Sequence, residues 1–476
     1  MVEPARTLRE AGEGPAEHAR HLVARLRRTF DSGRTRPAAW RKRQVRQMQR
    51  LLTEGERELS EALRADLGRA AIESWAAEIR FVWREIDHML RHLDAWMAPE
   101  RVPVPVVLQP AKAVIRREPL GVALVISPWN YPVHLLLLPM AAAIAAGNTV
   151  IGKPSEVAAA TSGAIARLVP RYMDPEAVAI VEGAVPETQA LLAERFDHLF
   201  YTGNGRVGRV VMEAAARHLT PVTLELGGKS PAIVDRGADL DVASRRIAFG
   251  KFLNAGQTCV APDYVLVHRA VEGALVERLA ARVREFYGDD PRRSRDYPRI
   301  VNDQHFERLV GLLEAGGFDQ VVAGGADRAV PGERFFPPTI LRGVSPEALL
   351  MEEEIFGPVL PVIAVDDVDA AIEFVNARPK PLSLYVFSED RAASRRVLAR
   401  TSSGSACVNT CVIQLAVPEL PFGGVGASGM GAYHGRNGFE TFSHRKSVLE
   451  KPTGFEPPLQ YPPYSRFRQW VLRRVF

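Results

Sequence analysis

Residues 254 to 262 read NAGQTCVAP, and Cys259 among them is one of only three cysteines in 476 residues. A thiol set among small and polar residues has little to pack against. A nucleophilic thiolate wants such a place, where substrate can reach it and backbone donors bring it below the free cysteine pKa of about 8.5. A glycine-flanked turn leading into a helix is the expected setting. The commoner fate of a free thiol is burial as a small apolar group, and that reading suits Cys407 and Cys411. These two lack the second pair and the histidines of a zinc site, so no metal centre is expected.

Further upstream, HLFYT runs into Gly203-Asn204-Gly205-Arg206-Val207-Gly208, a G-x-G-x-x-G between an expected strand and helix. Such glycines let a backbone approach phosphates at a helix N-terminus. Counting about 20 residues on to the acid that holds a ribose reaches Glu225, in LTPVTLELGGKSP. Gly228-Lys229-Ser230 closes like a phosphate-binding P-loop, but Thr223 stands where its first glycine should be. Gly426-Ala427-Ser428-Gly429-Met430 misses the serine-hydrolase elbow because Met430 replaces its last glycine.

The elements that must position these residues are legible in outline. The chain is long enough for two or three domains. Its formal charge of +5 comes mainly from arginines alternating with Glu and Asp along expected helices. No aromatic residues interleave as stacking platforms, so a solvated helical face is expected and no nucleic-acid partner. From 21 to 100, apolar residues recur at three and four (Leu22, Leu26, Phe30; then Leu51, Leu59, Leu63, Leu67), which predicts helices. Residues 101–118, with Pro103, Pro105 and Pro110 among valines, predict a proline-interrupted β-ribbon reaching out of its domain. Strands then alternate with helices at 132–146, 157–169, 186–194 and 207–217, and after Glu225 at 241–252 and 271–287. This predicts an α/β fold with parallel sheets. The apolar run 121–152 has the length of a membrane span but carries Pro128, Asn130, Pro132, His134 and Pro139, so it reads as strand, turn and buried helix. Residues 1–20 lack the apolar core of a secretory signal, and a cytoplasmic protein with reduced thiols is expected.

Seven blocks complete the picture: PWNYP (128–132), KPSE (153–156), the glycine turn (203–208), LELGGKSP (224–231), GQTCVAPDY (256–264), EEIFGPVLP (353–361) and LPFGGVGASGMGAYHG (420–435). In that order they resemble the aldehyde dehydrogenase superfamily, and within it the class 3 branch of fatty and aromatic aldehyde dehydrogenases, over about residues 21–450. The resemblance implies a Rossmann-like cofactor domain (21–100 and 119–224) after an N-terminal extension (1–20). It also implies an α/β catalytic domain (225–408), a β bridging element (101–118 and 409–450) and a tail (451–476). It makes Cys259 the nucleophile that attacks an aldehyde to give a thiohemiacetal. Asn130 and the Cys259 backbone N–H then hold the oxyanion. After hydride leaves for the nicotinamide, Glu225 is the base that activates water against the thioester. That assignment displaces the ribose role that counting gives Glu225. Cofactor contacts fall on Lys153 and Glu156 (adenosine ribose), Trp129 (pyrophosphate region), the turn Gly203, Asn204 and Gly208, Glu354 (nicotinamide ribose) and Phe356 (nicotinamide). NAD is the expected cofactor, with NADP accepted to some degree, in a homodimer bridged by 101–118 and 428–450.

Two departures bear on substrate: Asn204 where many relatives have Ser, and VNTC at 408–411 where many class 3 members have an acid after Asn409. Two alternatives stay open. A CoA-acylating dehydrogenase would resolve the thioester with a thiol and have no need of Glu225; a non-catalytic protein on the same fold would need none of Asn130, Glu225 and Cys259. The tail YPPYSRFRQWVLRRVF (461–476) places Tyr464, Phe467, Val471 and Val475 on one helical face, with Arg466, Arg468, Arg473 and Arg474 mostly off it. It is expected to dock on the enzyme or its dimer partner near the substrate mouth, with weak contact to anionic membranes as the alternative.

Overall fold

The computed structural model describes residues 13–454, 456 and 458–475, and its strands fall into three sheets. β1 (Glu100–Val102) and β2 (Lys112–Pro119) form an antiparallel ribbon. β3 (Val122–Ile126), β4 (Thr149–Lys153), β5 (Val178–Ile180), β6 (His198–Gly203) and β7 (Val222–Leu226) run parallel in the order 7-6-3-4-5. β8 (Pro231–Val234), β9 (Tyr264–His268), β10 (Gln320–Ala323), β11 (Thr339–Arg342), β12 (Val359–Val365), β13 (Ser383–Phe387) and β14 (Ser405–Val408) make a second sheet in the order 10-11-12-9-8-13-14. β15 (Gly429–Met430) returns antiparallel to β7. β16 (Ser443–Glu450) then joins β2 and completes the three-stranded sheet.

β3 and β4 are buried along their whole length. Helices cover both faces of a parallel sheet, so its central strands read as unbroken apolar runs. The helix His134–Ala146 is buried all round, which explains its lack of a polar face. The run 121–152 thus resolves into β3, the turn with Trp129 and Asn130, this helix and β4. Among the described residues no helix is long and apolar enough to cross a membrane.

The leucine periodicity maps onto Pro15–Asp31, Ala38–Glu54 and Glu56–Leu67, each burying the expected residues. The first helix opens inside the stretch expected as an extension and buries Ala19; residues 1–12 of that stretch lie outside the described residues. Two expectations need correction. The prolines of the ribbon sit in the connection between β1 and β2, around a 3-10 turn at Val106–Leu108, and not on a strand edge. The second sheet is not wholly parallel, because β10 pairs antiparallel to β11. Only 3-10 turns lie between them, and without a crossover helix the chain can only double back.

Along the first sheet the strand order reverses at β3, with β4 and β5 to one side and β6 and β7 to the other. Loops leaving the carboxyl ends of β3 and β6 therefore diverge and open a crevice, the place where open α/β sheets bind ligands.

Candidate active site

The Cys259 loop leaves a short 3-10 turn, Leu253–Gly256, in which Asn254, Ala255 and Gly256 all have positive φ (52°, 50° and 72°). At Gly256 a side chain is impossible, since a Cβ would stand 2.2 Å from the Gly357 carbonyl oxygen. Left-handed backbone at two non-glycine residues is costly and has to be over-determined by neighbours. Asn254 supplies this: its amide Nδ2 donates to the carbonyls of Asn130 and Gln257, both at 3.0 Å, and its backbone N–H donates to Glu73. The buried Arg69 guanidinium donates to Asn254 Oδ1, to the Asn130 carbonyl and to Glu78. Glu78 in turn accepts from the N–H groups of Val133 and His134 at 3.0 and 2.9 Å. One buried ion pair thus ties the PWNYP turn to the cysteine loop. The loop leads on to β9 and not into a helix as expected.

Asn130 is buried, and its amide donates to the Gln257 carbonyl at 3.0 Å. A carboxamide carries two N–H bonds, so a second donor remains for an oxyanion beside Cys259. Tyr131 shares a 2.8 Å hydrogen bond with Thr258. The thiol, half-buried by surface area, is ringed by protein, and burial pushes it well up; the charges of Glu354 and Glu225 raise it further. The backbone N–H groups of Cys259 and Val260 pull the other way without prevailing. The resting group is a thiol, contrary to the lowered pKa expected for it.

Glu225 lies in β7, 2% exposed, and among the described residues neither carboxyl oxygen has a hydrogen-bond partner. Burial alone holds it well above the usual carboxylate range. Its strand partner is Gly429 of β15, where a Cβ would stand 2.0 Å from the Leu224 carbonyl. The chain passes close behind Glu225 there, and both the Cys259 thiol and the Tyr433 hydroxyl feel its charge.

The remaining predicted residues gather at the carboxyl edge of the first sheet. Lys153 ends β4, buried, and donates to the carbonyls of Pro154 and Gly183, with Glu156 at 3.9 Å and half exposed. Gly203 ends β6, and Asn204 caps the helix Gly205–Ala216 by accepting from Val207 N–H at 3.0 Å. A Cβ on Gly205 would meet open space, while one on Gly208 would press on Leu226 at 3.0 Å. Open backbone in front of the helix N-terminus and close packing behind it are what a dinucleotide phosphate requires. Trp129 and Phe356 stand edge to face, ring centres 5.4 Å apart. Glu354 folds against Gly227, where a Cβ would lie 1.9 Å from its carboxyl oxygen, and burial followed by the charge of Asp263 raises it to about 8. Lys229, the lysine of the false P-loop, serves the scaffold. It bonds Asp263 at 2.6 Å and the carbonyls of Leu350 and Glu353, anchoring the Glu354 loop.

The sequence reading did not find Arg69, Glu78, Asn254 or Tyr433. Asn254 had a local signal, sitting five residues before Cys259 in NAGQTC. Arg69 had none, because its partners Asn130 and Asn254 lie 61 and 185 residues away. Tyr433 belongs to an aromatic wall with Phe81, His134, Phe422 and His434. Burial lowers His134 well below its ordinary value and His434 to about 3, so the wall is uncharged.

A thiol beside a buried carboxyl, at the mouth of a dinucleotide crevice, suits an oxidoreductase that handles a carbonyl through cysteine and a nicotinamide. The aldehyde dehydrogenase family model matches residues 2–448, and the chain belongs to that family. It is 49% identical over 431 residues to the "Aldehyde dehydrogenase, dimeric NADP-preferring" of Rattus norvegicus, covering 90% of this chain and 94% of that protein. To "Aldehyde dehydrogenase family 3 member A2" of Mus musculus it is 47% identical over 445 residues, covering 93% and 91%. Among solved structures, "Substrate bound state of Staphylococcus Aureus AldH" superposes with a TM-score of 0.93 at 43% identity, covering 96% of this chain and 99% of that one.

Proposed function

We propose that the protein oxidises aldehydes to carboxylic acids with NAD or NADP, through a covalent adduct on Cys259. The observation that carries this is Glu225: a buried carboxyl with both oxygens unpartnered among the described residues, close to a reachable thiol. No fold needs such a group, and a water-activating base does. Cys259 adds to the carbonyl carbon as its S–H proton passes to solvent, and the carbonyl oxygen takes up the charge against the free Asn130 N–H and the Cys259 backbone N–H. A nicotinamide held beside Phe356 would supply the acceptor for the hydride. Glu225, as the carboxylate, then takes a proton from water as that water attacks the thioester, and passes it to the departing Cys259 sulfur as the acid is released.

The uncharged aromatic wall around Tyr433 favours medium or long aliphatic and aromatic aldehydes. Lys153 and Glu156 pull cofactor choice in opposite directions: the ammonium attracts a 2′-phosphate, while the carboxylate prefers a free 2′-hydroxyl. The named NADP preference of the rat relative fits acceptance of both. The three sheets support a division into cofactor, catalytic and bridging parts near the expected boundaries. A relative named dimeric, together with the solvent-facing strands β14 and β16, supports a homodimer. In the tail helix Arg466–Val475, Phe467 and Trp470 are 68% and 53% exposed, so this face is free to dock on the second copy. The side chain of Val475 lies outside the described residues. The need for a free thiol supports a reducing, cytoplasmic setting.

The test is a panel of aldehydes with each cofactor, with and without coenzyme A, and with product identified. Carboxylic acid formed without coenzyme A is the expected result. Strict dependence on coenzyme A with acyl-CoA as product would overturn the hydrolytic route.

A further inference from the structure

The helix Arg80–Met97 carries His88 and His92 at a spacing of four, which sets both imidazoles on one face. Their ring centres are 4.3 Å apart. Glu419, from the segment that follows the 3-10 turn Ile413–Ala416, reaches the same point, and one ligand atom from each of the three residues lies within 4.8 Å of the others. We propose that these residues bind a divalent cation of the zinc class, separate from the catalytic centre, and that the cation clamps the 417–422 segment to the helix.

The donor set comes first. Two imidazoles and one carboxylate are zinc ligands and leave a fourth position for water. Copper, nickel and cobalt share this preference, and hard cations such as magnesium do not. Geometry is the second support. His88 Nε2 lies 3.2 Å from Glu419 Oε1. Two ligands of one tetrahedral zinc stand about 3.3 Å apart, given metal–ligand bonds of about 2.0 Å. The bland reading is an imidazole donating to a surface carboxylate. Yet His88 Nε2, in a side chain only 9% exposed, has no aligned hydrogen-bond partner among the described residues. The contact is close but aimed wrongly for a hydrogen bond. His92 gives the third support: its Nδ1 lies 2.9 Å from the His88 carbonyl. An N–H donated there leaves Nε2 bare for a metal, the backbone contact that commonly orients a ligating histidine. Half-buried His92 and exposed Glu419 retain the freedom to close the remaining distance.

The site adjoins the catalytic wall. Gly435 (φ 46°) threads between the Pro418 carbonyl, which would stand 2.2 Å from a Cβ there, and His88 Nε2, at 3.6 Å. Phe422, three residues after Glu419, exchanges both backbone hydrogen bonds with Tyr433, at 3.0 and 2.7 Å. A cation at this point fixes the strip of chain on which that wall is built.

The test uses the full chain with Cys259→Ala, so that the reactive thiol does not compete for metal. Zinc is titrated against a chromophoric chelator, cobalt is followed by its visible spectrum, and amide exchange is measured with and without zinc. One equivalent of zinc is expected, with tetrahedral cobalt bands, no thiolate-to-cobalt charge transfer, and slower exchange at 417–422. Added His92→Ala or Glu419→Gln, both outside the core, should each weaken binding at least tenfold, since even outer-shell losses cost about that much. Absence of binding, unchanged affinity in both variants, a thiolate band, or unchanged exchange at 417–422 would each overturn the proposal.

Discussion

At the scale of single residues the site is governed by burial. Cys259 and Glu225 both rest in their neutral forms because burial strips solvation from either charge, and for the thiol the charges of Glu354 and Glu225 add to that. Replacing Cys259 with Ala removes the nucleophile and little packing. Turnover should vanish while cofactor still binds, measured by fluorescence titration; retained aldehyde oxidation would refute covalent catalysis. Glu225→Gln should keep a first-turnover burst of reduced cofactor and slow the steady state by roughly 10² to 10⁴, because general base catalysis acts only in the water step. Stopped-flow absorbance separates the two phases, and loss of the burst would assign Glu225 to an earlier step. The sign of the pH effect follows from the same burial. A base works only when deprotonated, and Glu225 is held well above the ordinary carboxylate value of about 4.3. Steady turnover should therefore rise with pH along a limb displaced to higher pH than an exposed glutamate would give. In Glu225→Gln that limb should be absent.

Elements are where the sequence was most readable and where its limits have a physical reason. Leu59, Leu63 and Leu67 announced their helix because the partners that bury them lie at regular spacing. The paired strands β13 and β14 and the helices Val368–Asn376 and Arg391–Arg400 were passed over; they are short, shorter than the window of about 11 to 18 residues in which a period shows. Asn130 and Glu225 were legible as catalytic only through motif resemblance, while Cys259 also showed in its small and polar neighbours. The ion pair of Arg69 with Glu78 was not legible, since it joins segments that only the fold brings together. Another such joint is Glu85, on the helix Arg80–Met97, which accepts from Gly435 N–H at 3.1 Å. It faces His434 at 3.9 Å, and burial raises it from 4.5 to about 7, with the charge of Glu419 adding to the rise and the Gly435 N–H, then Arg84, pulling against it. A carboxyl with a raised folded pKa favours the fold while protonated. That stability is complete below pH 4.5, is lost as pH climbs to about 7, and then stays lost. The shift corresponds to about 3 kcal/mol. Glu85→Gln cannot charge, so it should match the parent in acid and exceed it by up to that amount at about pH 8. Urea unfolding at the two pH values decides this, and equal pH dependence in the two proteins would show that Glu85 is not the titrating joint.

For the molecule as a whole, the carboxyl edge of the first sheet meets the amino edge of the second, where Lys229, Cys259 and Glu354 lead into β8, β9 and β12, and the small sheet β1-β2-β16 extends from them with β16 turned to solvent. The chain continues from β16 into the tail, so whatever meets β16 lies within reach of the tail helix. There Phe467 and Trp470 stack at 6.4 Å with Arg474 over the indole, and both rings are more than half exposed. Two aromatic rings on a basic helix would gain about 2 kcal/mol per chain by even partial burial, roughly thirtyfold in a dissociation constant. If the second copy is what covers them, a chain ending at Leu459 should still oxidise short aldehydes but dissociate into monomers at a concentration where the full chain is dimeric. Sedimentation velocity across a dilution series measures this. Anionic vesicles at low salt form the contrasting arm, because attraction of arginines to a membrane surface is screened by salt. Dimers of equal strength in the two proteins, together with vesicle binding by the full chain alone, would move the tail from the dimer to the membrane.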